Sequence, residues 1–483
     1  MNYIIPSSVI QTAKSLLEAG FEAYLVGGCV RDLLTEKKPK DWDFTTNARP
    51  EDIQRIFPDS FYENTFGTVG VKIPEELAQD SSDRVIEITT YRKEFGYSDN
   101  RRPDKIDFAH TLEEDLHRRD FTINAIALSP LHSEIRDPHH GRDDIHNKII
   151  RAVGDSNERF AEDALRMMRA IRFSSELNFS IEKQTFLALQ KNAHLLKNIT
   201  KERIRIELER ILLSPHPAEG IELLEKSHLL QYIIPELREG IGVSQNLHHT
   251  YTVWEHNLLA LKTCPSKKLA VRLAALLHDV GKPRTKKGDG KFATFYNHDH
   301  VGARMTREIL RRLTFPREII EHATLLVDQH LFYYNVEEVT EAAVRRVIAR
   351  VGLENIKDLI DVRIGDRLGS GVPKAKPYRL RHFEYMVEKV SHDPIGVKDL
   401  AVHGNDLIEE LNLKPGPKIG AILDILLGEV IEDASRNNKE FLLARAHELE
   451  TQDLQTLRNI ASSRIEEQRK KDEESMKKKY WVK

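Results

Sequence analysis

Asp41 and Asp43, the two carboxylates of the segment "KDWDF", are the side chains whose types and spacing point most directly to chemistry. On an extended strand, residues i and i+2 face the same side, so this pair presents crowded hard oxygen ligands. Such ligands suit Mg2+, which fills its remaining positions with water and phosphate oxygens. Ions held this way can activate an attacking hydroxyl and neutralise a leaving pyrophosphate. Just upstream, "LVGGCVRD" supplies Gly27 and Gly28, where the backbone can approach a triphosphate closely, and Arg31, whose fork can clamp its oxygens. Asp-x-Asp alone is a common surface pattern. Behind Gly-Gly-x-x-Arg-Asp at this distance, it becomes a candidate metal and nucleotide site.

A second pair, Asp163 and Arg166 in "EDALRMMRAIRF", has i, i+3 spacing on a predicted helix, with Glu162 in the same turn. The ordinary fate of such a pair is a surface salt bridge. Base edges offer another use. Cytosine and adenine both set an exocyclic amine beside an unprotonated ring nitrogen, which a carboxylate and a guanidinium recognise respectively. Uracil and guanine invert both groups and would leave buried polar atoms unpaired, at about 1–3 kcal/mol each. One Asp/Arg pair can thus admit CTP and ATP and exclude UTP and GTP without a template. A third constellation runs through "TVWEHNL" (His256), "RLAALLHDVGKP" (His278, Asp279), "FYNHDHVGARM" (His298, His300), "LLVDQH" (His330) and "RIGDRL" (Asp366). Mixed imidazole and carboxylate ligands suit Mn, Fe, Ni or Zn. A lone histidine in any of these helices would more often be structural.

The elements that must carry these residues follow from pattern. At 483 residues, with 40% hydrophobic and 31% charged side chains, the chain should divide into three or four domains with wet, helix-rich surfaces. A formal net charge of −3 does not advertise a nucleic-acid binder, although a basic groove can hide in a neutral protein. Two distant cysteines, Cys29 and Cys264, argue against a disulfide framework. No apolar run approaches bilayer length and no signal peptide is visible, so the expected location is the cytoplasm, without a membrane partner. A helix is predicted from Ser7 to Ala19. Five or so strands follow, in "FEAYLVGG", "WDFTT", "GTVGVKI" and "RVIEITTYR", with a closing hairpin formed by "AIALSP" and "EIRDPHHGRDDIHNKIIRAV". From Arg159 onward the period changes to 3.6, and the rest is almost all helical. "RIEEQRKKDEESMKKKYWVK" reads as a frayed solvated helix or a disordered tail.

The Gly-Gly corner with its Asp-x-Asp resembles the nucleotidyltransferase superfamily with a polymerase-β-like head. It is similar in particular to the branch of bacterial tRNA CCA-adding enzymes and their poly(A) polymerase relatives. "RRDFTINA" resembles the family's ribose- and triphosphate-binding element, which implies nucleotide contacts from Arg119, Asp120 and Asn124. "EDALRMMRAIRF" resembles its nucleotide-selecting helix, adding Glu162, Arg169 and Arg172 to Gly28, Arg31, Asp163 and Arg166. "TKERIRIELERIL" resembles the following neck helix. Glu87 could complete a carboxylate trio with Asp41 and Asp43, or serve an arginine. Lys93–Phe108 resembles the mobile loop with which members switch from C to A. The His/Asp constellation resembles an HD-type metal-dependent phosphohydrolase, with His256, His278, Asp279 and Asp366 as its basic site and His298 and His330 extending it to a second metal. Related domains remove terminal or cyclic phosphates from RNA ends, or persist as scaffolds.

The resemblance implies an α+β multidomain chain: a nucleotidyltransferase head (1–154), an all-α neck (155–235), an HD domain (236–375), a helical RNA-binding body (376–464) and a charged tail (465–483). The body would grip the tRNA acceptor and T arms by shape and phosphate contact; "PGPKIG" within it is a helix entry that either holds a phosphate or is a plain turn. The implied activity is addition of C, C and A to tRNA from CTP and ATP with Mg2+, releasing pyrophosphate. Rival readings are a CC-adding or A-adding partial enzyme, a poly(A) polymerase, an HD phosphohydrolase with an RNA-binding head, and a non-catalytic RNA-binding protein.

Overall fold

The computed structural model describes residues 3–64, 67–78, 80–95, 105–245, 251–288, 290–332, 334, 339–372, 374–391 and 396–460. The chain forms two compact units, Met1–Arg238 with Ile309–Phe315, and Glu239–Glu308 with Pro316–Lys483. Among the described residues no helix is long and apolar enough to cross a membrane. The tail and residues 96–104 of the expected switching loop lie outside the described residues.

The first unit opens with a helix, Ser7–Glu18, whose Val9, Ala13 and Leu16 are fully buried. The head strands are β1 (Tyr24–Val26), β2 (Trp42–Thr46), β3 (Ser60–Asn64), β4 (Thr68–Lys72), β5 (Val85–Thr90), β6 (Arg92–Phe95), β7 (Lys105–Phe108), β8 (Ala127–Leu128) and β9 (Ile135–Arg136). Seven of them make one mixed sheet in the order β3-β4-β5-β2-β1-β8-β9, more than the five or so expected; β6 and β7 form a separate antiparallel ribbon. The β2–β5 pair is parallel and the other pairs of the sheet are antiparallel. Alternation explains β2: Trp42 and Phe44, 2% and 1% exposed, join the core with Val69, Ile86 and Ile88, which leaves Asp43 and Thr45 for the other face.

The closing hairpin is only partly as expected. β8 and β9 pair with each other, but "GRDDIH" is a helix, Gly141–His146, and Ile149–Ile150 runs parallel to Ser180–Ile181 instead. The reason lies at Gly141, where an added Cβ would stand 2.1 Å from the Thr122 carbonyl oxygen; only glycine lets the chain cross there and leave the sheet. Beyond the head, helices Leu165–Leu177, Lys201–Leu213 and Pro217–Lys226 pack together within the first unit.

In the second unit, helices Val253–Thr263 and Ile356–Gly369 pack along one another. Gly365 and Gly369 permit it: a Cβ on either would stand 2.7 or 2.8 Å from the backbone of Ala260. A second glycine crossing, Gly281, lies against the backbone of His298 and Gly302. The unit's other apolar cluster gathers Leu407, Ile422, Leu426, Val430, Leu442 and Ala446 from the last helices, including Pro417–Glu432 entered through "PGPKIG".

Candidate nucleotide site and candidate metal centre

The Gly-Gly corner lies between β1 and the helix Gly28–Leu34, and four charged side chains ring it. A Cβ at Gly27, where φ is +74°, would stand 3.4 Å from Arg119 Nη1 and 3.6 Å from Asp43 Oδ2; at Gly28 it would stand 3.7 Å from Arg31 Nη2 and 4.0 Å from Asp41 Oδ1. A side chain at either position would fill the space these groups share. Asp41 is exposed at the mouth, and Asp43 is half-buried one register inward. β5 sets Glu87 directly opposite Asp43, so adjacent parallel strands bring both carboxylates to one face. Cys29, beneath this corner, is fully buried; burial and the Asp43 charge push its thiol up to about 12, making it a packing residue.

Arg31 and the "RRDFTINA" segment are joined by a polar relay. Arg31 donates to Asn124 Oδ1 at 2.9 Å and to Asp32 at 2.7 Å; Asn124 donates to Asp120 Oδ1 at 3.2 Å; Asp120 Oδ2 accepts from Arg169 at 2.7 Å. Burial would raise the Asp120 carboxyl, but Arg169 holds it well below the usual carboxylate range. Arg31, Arg169 and Arg172 also surround the Phe173 ring, at 5.3, 5.4 and 4.2 Å from its centroid. Arg172 is 3% exposed and committed to Glu207 of the neighbouring helix, so it joins helices and does not line the corner.

The expectation that Glu162, Asp163 and Arg166 share one turn of one helix is corrected. The helix Ser156–Glu162 ends there, Asp163 is extended (φ −136°, ψ 104°), and a new helix runs from Leu165 to Leu177. Asp163 makes the break: its Oδ1 accepts from the Leu165 N–H at 3.0 Å, the local bond with which aspartate favours helix starts over interiors. Its Oδ2 accepts from Arg203 at 2.8 Å. Arg166 instead bonds Glu162 and the carbonyls of Arg159 and Arg118. The two candidate base-reading groups are therefore held separately, each by its own partner.

Two supporting residues were missed in the sequence. Arg203 is forty positions from Asp163, with no local signal. Asp115 was legible as the i−3 and i−4 neighbour of Arg118 and Arg119. It is fully buried, accepts from both, and also from Thr45 of β2 at 3.0 Å, which fixes Arg119 relative to the Asp43 strand.

In the second unit the histidine and aspartate residues converge. His256, His278 and Asp366 form one group with ligand atoms within 4.8 Å of one another, and Asp279, His298 and His330 form another. Among the described residues no such group forms in the head. Asp279 lies between the two, with Oδ2 3.1 Å from His256 Nε2 and Oδ1 3.2 Å from His298 Nε2. The Nδ1 atoms of His278, His298 and His330 each bond the carbonyl three residues earlier, at 2.9, 2.6 and 2.7 Å. With Nδ1 so engaged, Nε2 is the atom turned towards the cluster, the usual disposition of metal-bound imidazole. The Nε2 atoms of His298 and His330 are buried without a hydrogen-bond partner. Burial and the neighbouring His278 push His330 down to about 3, so its imidazole is neutral at ordinary pH. Burial would lower His256, but Asp279 and Asp366 raise it to about 9. His300 faces elsewhere, bonded to Asp328 at 2.7 Å.

Head sheet, carboxylate strand and helical extension define a nucleotidyltransferase. The profile "Poly A polymerase head domain" matches residues 23–151, "Probable RNA and SrmB- binding site of polymerase A" matches 178–241, and "tRNA nucleotidyltransferase domain 2 putative" matches 292–446. The CCA-adding enzyme of Streptococcus thermophilus is 32% identical over 90% of this chain and 96% of its own length; that of Lactiplantibacillus plantarum is 33% identical over 90% and 95%. A crystal structure of the Bacillus stearothermophilus CCA-adding enzyme in complex with CTP superposes with a TM-score of 0.68 at 28% identity, covering 91% of this chain and 96% of that one. The chain belongs to the CCA-adding enzymes, a metal-dependent family of tRNA nucleotidyltransferases.

Asp115 gives the site a measurable acid limit. Burial raises its carboxyl, but Arg118 and Arg119 outweigh burial and hold it at about 2. A carboxylate depressed on folding adds stability that is present above its unfolded value, near pH 4, and is lost as pH falls from there towards 2. The contribution at pH 7 is about 2–3 kcal/mol. In urea denaturation at pH 7, 4 and 3, Asp115→Asn should be less stable at pH 7 and lose less between pH 4 and 3 than the parent. An unchanged acid slope would contradict this.

Proposed function

We propose that this chain adds C, C and A to the 3′ end of tRNA from CTP and ATP, with Asp41 and Asp43 as the catalytic carboxylates. The observation that carries the assignment is the convergence of Asp41, Asp43, Arg31 and Arg119 on the Gly27–Gly28 corner, with Glu87 in register beside Asp43. The tRNA 3′-hydroxyl gives its proton to solvent and its oxygen bonds the α-phosphorus; the bond from that phosphorus to the oxygen bridging to the β-phosphate breaks, and pyrophosphate leaves. Mg2+ held by Asp41 and Asp43, with Glu87 adjoining, fits this oxygen donor set and would offset charge on the phosphates. Arg31 and Arg119 hold the triphosphate, kept in place by Asn124 and Asp115 respectively. Asp163 accepts from the exocyclic amine of cytosine or adenine, and Arg166 donates to the adjoining ring nitrogen. Arg203, bonded to its other oxygen, orients Asp163 for that contact. Both cysteines are buried and free, which fits a cytoplasmic location.

Incorporation on tRNAs ending before CCA, after C and after CC tests the assignment. With CTP and ATP the shortest substrate should gain CCA and stop, UTP and GTP should enter poorly, and Asp41→Ala should abolish transfer. A stop at CC, a start only from CC, or a long A tail would each overturn full CCA addition in favour of a partial enzyme or a poly(A) polymerase.

A second reading concerns the other unit. The buried, inward-facing Nε2 atoms around Asp279 support an HD-type phosphohydrolase with one or two transition-metal ions, held by His256, His278, Asp279 and Asp366 and extended by His298 and His330. The metal would supply a nucleophilic hydroxide for terminal or cyclic phosphates on RNA ends. Full-length protein loaded with Ni2+, Mn2+, Fe2+ or Zn2+ should retain one to two equivalents through gel filtration, and Asp279→Ala should retain none. Hydrolysis of a 2′,3′-cyclic phosphate should be lost in Asp279→Ala and kept in Asp41→Ala. Metal retention without hydrolysis would reduce this centre to a scaffold.

A further inference from the structure

The helix Tyr378–Val390 carries a stripe that neither site uses. Its apolar side is satisfied internally: Leu380, Phe383, Met386, Val387 and Val390 are buried. On the other side Tyr378, His382 and Tyr385 stand at i, i+4 and i+7, so they share one face. Tyr378 is 62% exposed and Tyr385 58% exposed. Their rings follow one another through His382, with centroids 5.8 and 5.9 Å apart. The row is held from beneath. The Tyr334 hydroxyl bonds His382 Nδ1, and the Tyr334 ring packs edge-on against buried Phe383 at 5.1 Å. Single exposed aromatics need no explanation, but two exposed tyrosines joined through a half-buried histidine on one face, pre-set by Tyr334, do.

Charge selects the occupant. Arg381 falls between the tyrosines, three residues after Tyr378 and four before Tyr385, and Arg379 adjoins it; both are exposed. Neither has an acidic partner among the described residues, whereas Lys376 pairs with Glu384 and Lys389 with Glu341. Aromatic faces interleaved with unpaired guanidiniums match an RNA strand, whose bases stack on the rings while its phosphates meet the cations. Bases inside a duplex hide their faces, so the contact requires unpaired ones.

We propose that the Tyr378–His382–Tyr385 stripe, with Arg381, is a stacking site for unpaired nucleobases of the bound tRNA. The proposal rests on the tRNA reading above. Binding of full-length protein to a tRNA transcript without nucleotide, read by filter retention, keeps the two separable: a parent protein that does not bind tRNA overturns the functional reading. Tyr378→Ala and Tyr385→Ala should each weaken binding about tenfold, and Tyr378→Phe and Tyr385→Phe should restore it, because stacking needs the ring and not the hydroxyl. The KM for tRNA should rise in step with unchanged kcat, which a merely structural role would not produce. On a loop-free RNA duplex the parent and alanine variants should bind alike. Arg381→Ala should lower the slope of log affinity against log salt by about one, while the tyrosine variants leave it unchanged. Parent-like tRNA binding by the double alanine variant overturns the proposal. So does a concentration-dependent dimer that this variant dissolves without loss of tRNA affinity, which would assign the stripe to a second copy of the chain.

Discussion

The Asp120 carboxylate is the interaction on which the head and the Leu165–Leu177 helix depend. One oxygen takes Asn124 and its own neighbour's backbone N–H; the other takes Arg169. Asn124 in turn holds Arg31 at the glycine corner. Three stretches of chain, far apart in sequence, are thereby fixed around one buried charge. A buried carboxylate is costly unless it is paired and hydrogen-bonded, and here every neighbour serves that end. The same economy recurs at Asp115, which fixes Arg118 and Arg119 against β2. In both places a buried acid sets the position of the arginines around it.

Glycine does the corresponding work for the backbone. Gly27 and Gly28 leave room for charged groups to meet. Gly141 lets the chain cross Thr122 and leave the sheet. Gly365 and Gly369 bring the Asp366 helix against the His256 helix, and Gly281 brings His278 and Asp279 against His298. Close approach, not flexibility, is the common requirement, and it explains how imidazoles from separate helices reach the same two carboxylates.

Much of this was legible in the sequence because it is local. The i, i+2 spacing of Asp41 and Asp43, the apolar alternation of β2, and the His-Asp step after an apolar helix each follow from one element's periodicity. The register of Glu87 opposite Asp43 needed only neighbouring strands. What was hidden depends on tertiary contact. "EDALRMMRAIRF" reads as unbroken helix because its residues favour helix, yet Asp163 is extended, bonds the Leu165 N–H and is held by Arg203 from another helix. The pairing of Arg172 with Glu207 of another helix likewise has no signal in the local sequence. The hairpin failed where Gly141 made a crossing possible, an event with no periodicity to read.

The central claim is that side chains, not a template, choose the base, and that Asp163 is the group facing the exocyclic amine. The most direct measurement is single-nucleotide addition to a tRNA lacking CCA, comparing kcat/KM for CTP and UTP in the parent and in Asp163→Asn. Asparagine can turn an N–H toward the uracil carbonyl, so the UTP-to-CTP ratio should rise about tenfold or more. If both values fall in proportion and the ratio stays where it was, Asp163 does not read the base, and the account of selection is wrong.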